Sequence, residues 1–161
     1  LIFMGSEFAQ ESEWNEGRGL DWWLLDHSEN AGMLRLVGDI NRAYQENPAL
    51  WQQDNSPAGF EWIDANDAGN NVFSWLRWSA DNEAVACLAN FSAVPHVDYR
   101  VGLPFGGEWT EIVNTDAAEY GGSGVGNLGQ VFAWEDPWHG RPASASVTLP
   151  PLGVVWLRHQ G

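Results

Sequence analysis

The chain has 161 residues, enough for one domain with its own core, or for one domain plus part of another. A formal net charge of −15 repels phosphate backbones and anionic lipid headgroups, so nucleic acid and membrane surfaces are excluded as expected partners. The acidity is not that of disorder, because 44% of the residues are hydrophobic and 11 are tryptophan, and no run approaches the roughly 18 apolar residues of a membrane span.

The chain opens on four apolar residues, Leu1 to Met4, which read as a strand buried on both faces of a parallel sheet. Gly5 ends that run. Glu7, Gln10, Glu11 and Glu13 follow within a few residues, with Phe8 among them and Trp14 and Asn15 just after. Acidic and amide groups beside aromatic plates suit a neutral, hydroxyl-rich ligand. If the strand belongs to a (β/α)₈ barrel, groups at its C-terminal end lie on the face where active sites are built.

Asp26 and Ser28 offer N-cap oxygens, and Glu29 sits favourably in a first helical turn. Met33, Leu36, Val37, Ile40 and Tyr44 then recur at helical spacing and lay an apolar stripe along one face, until Pro48 stops the helix. One buried strand followed by one helix is a β/α unit that cannot cover its own strand, which implies further barrel elsewhere in a longer protein. Residues 51–59 read as a linker. Beyond it, eight short segments are separated by turn residues: Phe60 to Ile63, Val72 to Trp78, Ala84 to Phe91, His96 to Val101, Trp109 to Asn114, Gln130 to Trp134, Ser144 to Leu149 and Gly153 to Arg158. This spacing predicts an antiparallel sandwich or barrel. Ala145, Val147 and Leu149 alternating with Ser144, Ser146 and Thr148 is the cleanest half-buried pattern. Val72 to Trp78 puts Phe73 and Trp75 on one face and Leu76 and Trp78 on the other, as a strand covered on both sides would.

The string FMGSEFAQESEWN, Phe3 to Asn15, followed by LDW at Leu20 to Trp22, resembles the last barrel strand and its loop in bacterial glycogen branching enzymes of the α-amylase superfamily. GFEWIDAND at Gly59 to Asp67, NTDAAEYGGSGVGN at Asn114 to Asn127 and LPPLGVVWLR at Leu149 to Arg158 extend the resemblance over nearly the whole chain. It implies a mainly β fold: an amylase-type C-terminal domain over 60–161, preceded over 1–50 by the last β/α unit of a truncated barrel. It also implies transfer of α-1,4-linked glucan segments to 6-hydroxyls, with retention through a covalent intermediate on an Asp nucleophile, a Glu acid/base and a further Asp. Those carboxylates belong upstream of Leu1, so no catalytic residue is assigned here and the chain alone is expected to be inactive. The implied partners are an α-glucan and the rest of the same protein's barrel. Alternatives are a glucan-binding accessory module and a purely structural domain.

Within the opening loop, Glu7, Gln10, Glu13 and Asn15 are the expected lining of a glucan cleft, and Trp14 and Trp22 the expected stacking plates, since indole takes up the apolar C–H face of a sugar ring. Read without the resemblance, Glu7 and Glu13 would be the nominees for a glycosidase carboxylate pair. Neighbours in an extended stretch point oppositely, so at least one of Trp22 and Trp23 is expected to be buried. Trp23 departs from the His or Tyr common in the family. Trp62, Trp75, Trp78, Trp109, Trp134 and Trp156 are expected to fill the sandwich core, whereas Trp138, beside Asp136, Pro137, His139 and Gly140, sits in a loop and is the candidate for a second glucan contact.

Gly124, Gly126 and Gly129 have dinucleotide-fingerprint spacing, but a strand rather than a helix is expected after them, so they read as a mobile hairpin or Ω-type loop. No cofactor is expected. The scattered His27, His96, His139 and His159 have no metal-ligand spacing, and the lone Cys87 forms no disulfide, which fits a reducing cytoplasm.

Overall fold

The computed structural model describes residues 3–161. Leu1 and Ile2, half of the expected opening strand, lie outside the described residues. The other half is not a strand: Phe3 and Met4 pair with no neighbour and are more than half exposed. The physical reason is the one that made the strand an orphan, since among the described residues no parallel neighbour offers the hydrogen bonds that would hold it extended.

After 3₁₀ turns at Ser6–Phe8 and Trp22–Asp26 the chain enters the helix α1, Ser28–Glu46. The expected side-chain cap from Asp26 or Ser28 is absent; His27 is the extended residue before the helix, and no side chain caps it. The C-terminus is better closed. The Asn47 amide donates to the Ala43 carbonyl at 2.6 Å, its oxygen accepts from Arg158 at 3.3 Å, and Pro48 follows.

Eight strands follow: β1 Phe60–Asp67, β2 Val72–Trp78, β3 Ala84–Asn90, β4 His96–Leu103, β5 Gly107–Asn114, β6 Gln130–Ala133, β7 Ala143–Leu149 and β8 Val154–His159. All pair antiparallel, in a six-stranded sheet ordered β1-β2-β3-β8-β5-β6 and a two-stranded sheet of β4 and β7. The expected β-sandwich is thus present, with every predicted segment a strand and only the ends displaced.

The core fills the space between the two sheets. Leu76 and Leu88 meet Val101, Leu103, Val147 and Leu149 there, and Trp109, wholly buried, donates its indole N–H to the Phe105 carbonyl at 3.2 Å. A buried indole needs such a partner, because an unmade hydrogen bond costs about 1–3 kcal/mol. Of the tryptophans expected in the core, only Trp109 is fully inside. Trp75, Trp78 and Trp156 are half-buried, and Trp62 and Trp134 are exposed, because their strand positions face outward from the sheet. Phe73 is exposed for the same reason, but Trp75 on the same face is half-buried, so β2 is covered on its inner face and along part of its outer one.

The outer face of the large sheet carries a second, smaller apolar cluster. Ala49 and Leu50, from the turn after α1, cover Val85 and Cys87, with Trp75, Ile112 and Trp156 around them. Burial pushes the Cys87 thiol far above its ordinary value, which leaves it inert. Residues 51–59 are no free linker: Asp54 pairs with Arg77, the Gln53 amide donates to the Trp78 carbonyl at 3.4 Å, and the Gln52 side-chain oxygen accepts from the Ala80 N–H at 2.8 Å.

The segment between β5 and β6 is where α1 meets the sandwich. Tyr120 donates to Asp39 at 2.9 Å and Arg35 donates to the Glu119 carbonyl at 3.1 Å. Burial, together with the Asp39 hydrogen bond, pushes the Tyr120 phenol up to about 12. Gly32 is buried at this crossing, where a Cβ would collide with the Tyr120 carbonyl oxygen. The covered face of α1 is therefore the one bearing Gly32, Ala43 and Asn47. The expected apolar stripe lies elsewhere, with Met33 and Tyr44 exposed and Leu36, Val37 and Ile40 half-covered.

This crossing separates two glycines of one helix. Gly32→Val is expected to cost about 2–3 kcal/mol of unfolding free energy in a urea titration, as overpacking does. Gly38→Ala, where a Cβ meets nothing within 4 Å, is expected to add about 0.5–1 kcal/mol through helix propensity.

Candidate functional site

The opening loop has a defined shape because its polar side chains bond to its own backbone. Gly5 takes a left-handed conformation (φ 90°), and its N–H donates to the Glu7 carboxylate at 3.1 Å. Gln10 then spans the loop: its side-chain oxygen accepts from the Asp21 N–H at 2.8 Å and its amide donates to the Ser12 carbonyl at 3.3 Å. The Ser12 hydroxyl donates to the Asp21 carboxylate, and Arg18 pairs with the same residue at 3.6 Å. Asn15 accepts from the Gly17 N–H at 2.7 Å, turning the chain back.

The loop is anchored from below. Phe8 is fully buried, and the Asn30 amide of α1 donates to the Phe8 carbonyl at 2.8 Å. Trp22 lies against the Phe8 ring with centroids 5.2 Å apart, and Trp14 meets the edge of Phe3 at 5.9 Å. The expectation that Trp22 or Trp23 is buried fails, with 57% and 62% exposed. Residues 22–26 form a 3₁₀ turn rather than an extended stretch, so the two side chains do not alternate, and Leu24 is the one turned inward.

Four of the six expected ligand-contacting residues come together. Gln10, Glu13, Trp14 and Asn15 line a cavity of about 180 Å³, completed by Met4, Glu16, Arg18, Gly19 and Leu20. Glu7 lies apart, in a wider trough of about 500 Å³ with Phe3, Met4, Leu34, Val37, Gly38 and Asn41. Trp22 lines neither. Glu7 and Glu13 thus do not share one cavity, and the free-standing nomination of a carboxylate pair finds no support.

Sequence reasoning missed Arg18, Leu20 and the Ser12–Asp21 bond that closes the loop. The presence of the only cation of the opening stretch, Arg18, three residues before Asp21 was the available signal. It also mistook the glycine-rich segment for a mobile one. The Asp116 carboxylate accepts from the Ser123 N–H at 2.9 Å and the Val125 N–H at 3.2 Å. Asn127 donates to Glu111 at 2.6 Å and to the Thr148 carbonyl at 3.1 Å, and accepts from the Thr148 N–H at 2.8 Å. Gly122 and Gly126 allow close packing against Asp116 and Asn114, whereas Gly121, Gly124 and Gly129 take the left-handed backbone conformations that turn the chain.

With the geometry fixed, comparison with known proteins places the sandwich. The sequence profile of the family described as "Alpha amylase, C-terminal all-beta domain" matches residues 62–160, from β1 to the end of β8. The chain belongs to that family. The opening loop and α1 lie outside the matched stretch, but full-length similarity extends over them. The 1,4-alpha-glucan branching enzyme GlgB of Rhodococcus jostii (strain RHA1) is 59% identical over 161 residues, covering 98% of this chain. Proteins of the same name from Mycolicibacterium paratuberculosis and Leifsonia xyli subsp. xyli are 57% and 56% identical over 158 residues, again covering 98% of the chain. The chain spans 22% of the length of each. A solved alpha-amylase from H.orenii aligns with 80% of this chain and 20% of that one, at 16% identity and a TM-score of 0.47. Among the described residues, no helix is long and apolar enough to cross a membrane.

Gln10 is the brace of the loop. Gln10→Ala is expected to speed amide hydrogen exchange at Asp21 roughly tenfold, about 1.4 kcal/mol, by removing the acceptor of that N–H, while exchange in β3 stays unchanged.

Proposed function

We propose that this chain is the C-terminal part of a 1,4-α-glucan branching enzyme, which moves α-1,4-linked segments onto 6-hydroxyls to make α-1,6 branches in a glycogen-type polymer. The observation that carries the reading is 55–59% identity over 98% of the chain to proteins bearing that name. The chemistry requires a retaining carboxylate pair about 5 Å apart, and this chain contributes none; it is inactive alone. Residues 1–50 are the end of the catalytic barrel, 51–59 the connection and 60–161 the C-terminal domain, all in the cytoplasm.

The exposed side of α1 supports this arrangement. Met33, Leu34 and Tyr44 are exposed, and Leu34 and Val37 share an open trough with Phe3 and Met4. Apolar surface of this extent on a helix calls for a cover, and the remaining barrel of the same protein supplies it. The opening loop then borders the glucan cleft. Trp14 presents its indole to a sugar ring, Gln10, Glu13 and Asn15 hydrogen-bond hydroxyls around it, and Glu7 and Trp22 flank the entrance. Gln10 and Asn15 already spend one acceptor each on the backbone, and Gln10 one amide N–H on the Ser12 carbonyl, so the second Gln10 N–H and the Asn15 amide are the donors offered to the ligand.

The test uses the full-length enzyme and amylose. The unmutated protein is expected to lower iodine staining and generate α-1,6 linkages, with no change from the 161-residue chain alone. Trp14→Ala is expected to raise KM for amylose about five- to tenfold with kcat within twofold, the pattern of lost ground-state binding. Absence of α-1,6 linkages from the full-length enzyme would overturn the activity, and an unchanged KM would overturn the role of the loop.

A further inference from the structure

The exposed aromatic residues fall into two chemically different groups. On the outer face of the six-stranded sheet, Phe60, Trp62, Phe73 and Phe91 form a row with ring centroids 5.0, 6.1 and 5.7 Å apart. Trp62 also meets the edge of Trp75, a member of the apolar cluster beneath the turn that follows α1. That row is the margin of an apolar seam. Trp138 is of another kind.

Trp138 stands over the outer face of the β4–β7 sheet, on the side of the sandwich opposite α1. It begins a two-residue turn whose central residues, His139 and Gly140, have φ of 50° and 71°, the left-handed pair of a type I′ hairpin turn. Two backbone hydrogen bonds close it, from the Trp138 N–H to the Arg141 carbonyl at 3.1 Å and from the Arg141 N–H to the Trp138 carbonyl at 2.8 Å. Gly102 lets the turn lie directly on β4, where a Cβ would collide with the Trp138 carbonyl oxygen. The far end is pinned to β1, because Arg141 pairs with Glu61 at 2.7 Å and donates to the Trp62 carbonyl at 3.2 Å. The turn is therefore rigid, yet the indole it carries remains 42% exposed.

One side of that indole is taken. The Arg100 guanidinium lies 4.6 Å from the ring centroid, with its Nε donating to the Ser144 hydroxyl at 3.1 Å and one Nη pairing with Asp136 at 2.5 Å. A guanidinium has five N–H donors, so the second Nη keeps both of its own for a ligand, and Asp136 keeps carboxylate lone pairs beside it. An indole held in place before binding, with planar donors and acceptors at its rim, pays little ordering entropy on complex formation. A pyranose ring fits that combination: an apolar C–H face for the indole and a rim of hydroxyls for a guanidinium–carboxylate pair. Anionic ligands do not, given Asp136 and the net charge of −15.

We propose that Trp138, Arg100 and Asp136 form a second glucan-binding site, which grips a single stretch of the polymer on the face of the sandwich opposite α1. The choice of glucan among hydroxyl-rich ligands rests on the branching-enzyme reading above. Such a site keeps a long, many-ended substrate tethered between transfers, so its contribution grows with polymer size.

The experiment is affinity electrophoresis of the full-length enzyme in gels containing glycogen. Trp138→Ala is expected to weaken retardation about fivefold or more in dissociation constant, and Trp138→Tyr, which keeps a stacking ring, to restore most of it. Arg100→Lys, which keeps the charge but loses the planar fork, is expected to fall between them. Trp51→Ala, a tryptophan as exposed as Trp138 but in the turn after α1, is the control and is expected to migrate as the unmutated enzyme does. Unchanged retardation for Trp138→Ala, or an equal loss for Trp51→Ala, would overturn the site. Formation of α-1,6 linkages by the unmutated enzyme is read in parallel, so failure of the family reading is seen separately from failure of this one.

Discussion

The close crossing of α1 over the β5–β6 connection is the constraint on which the rest of the arrangement depends. Gly32 admits the Tyr120 carbonyl, Asp39 accepts from the Tyr120 hydroxyl and Arg35 donates to the Glu119 carbonyl, so three points on one helix face fix it against one segment. That segment is in turn locked by Asp116 and by Asn127, which bonds to β5 and β7 together. From α1 the constraint passes forward to Asn30, which holds Phe8, and so to the loop of Gln10, Glu13, Trp14 and Asn15. A chain of short polar contacts thus ties the candidate glucan loop to the sandwich.

The acidic composition becomes intelligible in the same terms. All seven basic residues are arginine, and each has a structural partner: Arg18 with Asp21, Arg35 with Glu119, Arg42 with Asp39, Arg77 with Asp54, Arg100 with Asp136, Arg141 with Glu61 and Arg158 with Asn47. Guanidinium suits this use because its planar fork serves a carboxylate and a carbonyl at once, as Arg141 does. Several of the remaining carboxylates accept backbone N–H groups in turns, as Asp64, Asp67, Glu111 and Asp116 do. The charge serves local geometry and leaves the surface suited to a neutral ligand.

The eight strands were legible because each is a short apolar or alternating run bounded by turn residues, and β7 shows why this works: one face of Ala145, Val147 and Leu149 has a single way to be buried. The four residues lining the loop cavity were legible too, since they lie close together in sequence. The buried face of α1 was not. Apolar periodicity marks a face that some surface will cover, and here the covered face is instead set by a glycine and by a partner 81 residues away. The tryptophans misled for a related reason: strand period fixes which residues share a face but not which face is inside, so Trp62 and Trp134 point outward while Trp109 points inward. The glycine-rich segment looked mobile because its order comes from Asp116 and Asn127, residues whose role is invisible until the turn is closed.

These contacts make the helix and loop one cooperative body with the sandwich. Native-state hydrogen exchange in low denaturant tests it most directly, by comparing the amides of residues 36–43 in α1 with those of residues 85–88 in β3. Both sets are expected to exchange through one opening of the same free energy and the same denaturant dependence. Exchange of the α1 amides through a separate opening several kcal/mol below that of β3 would contradict it.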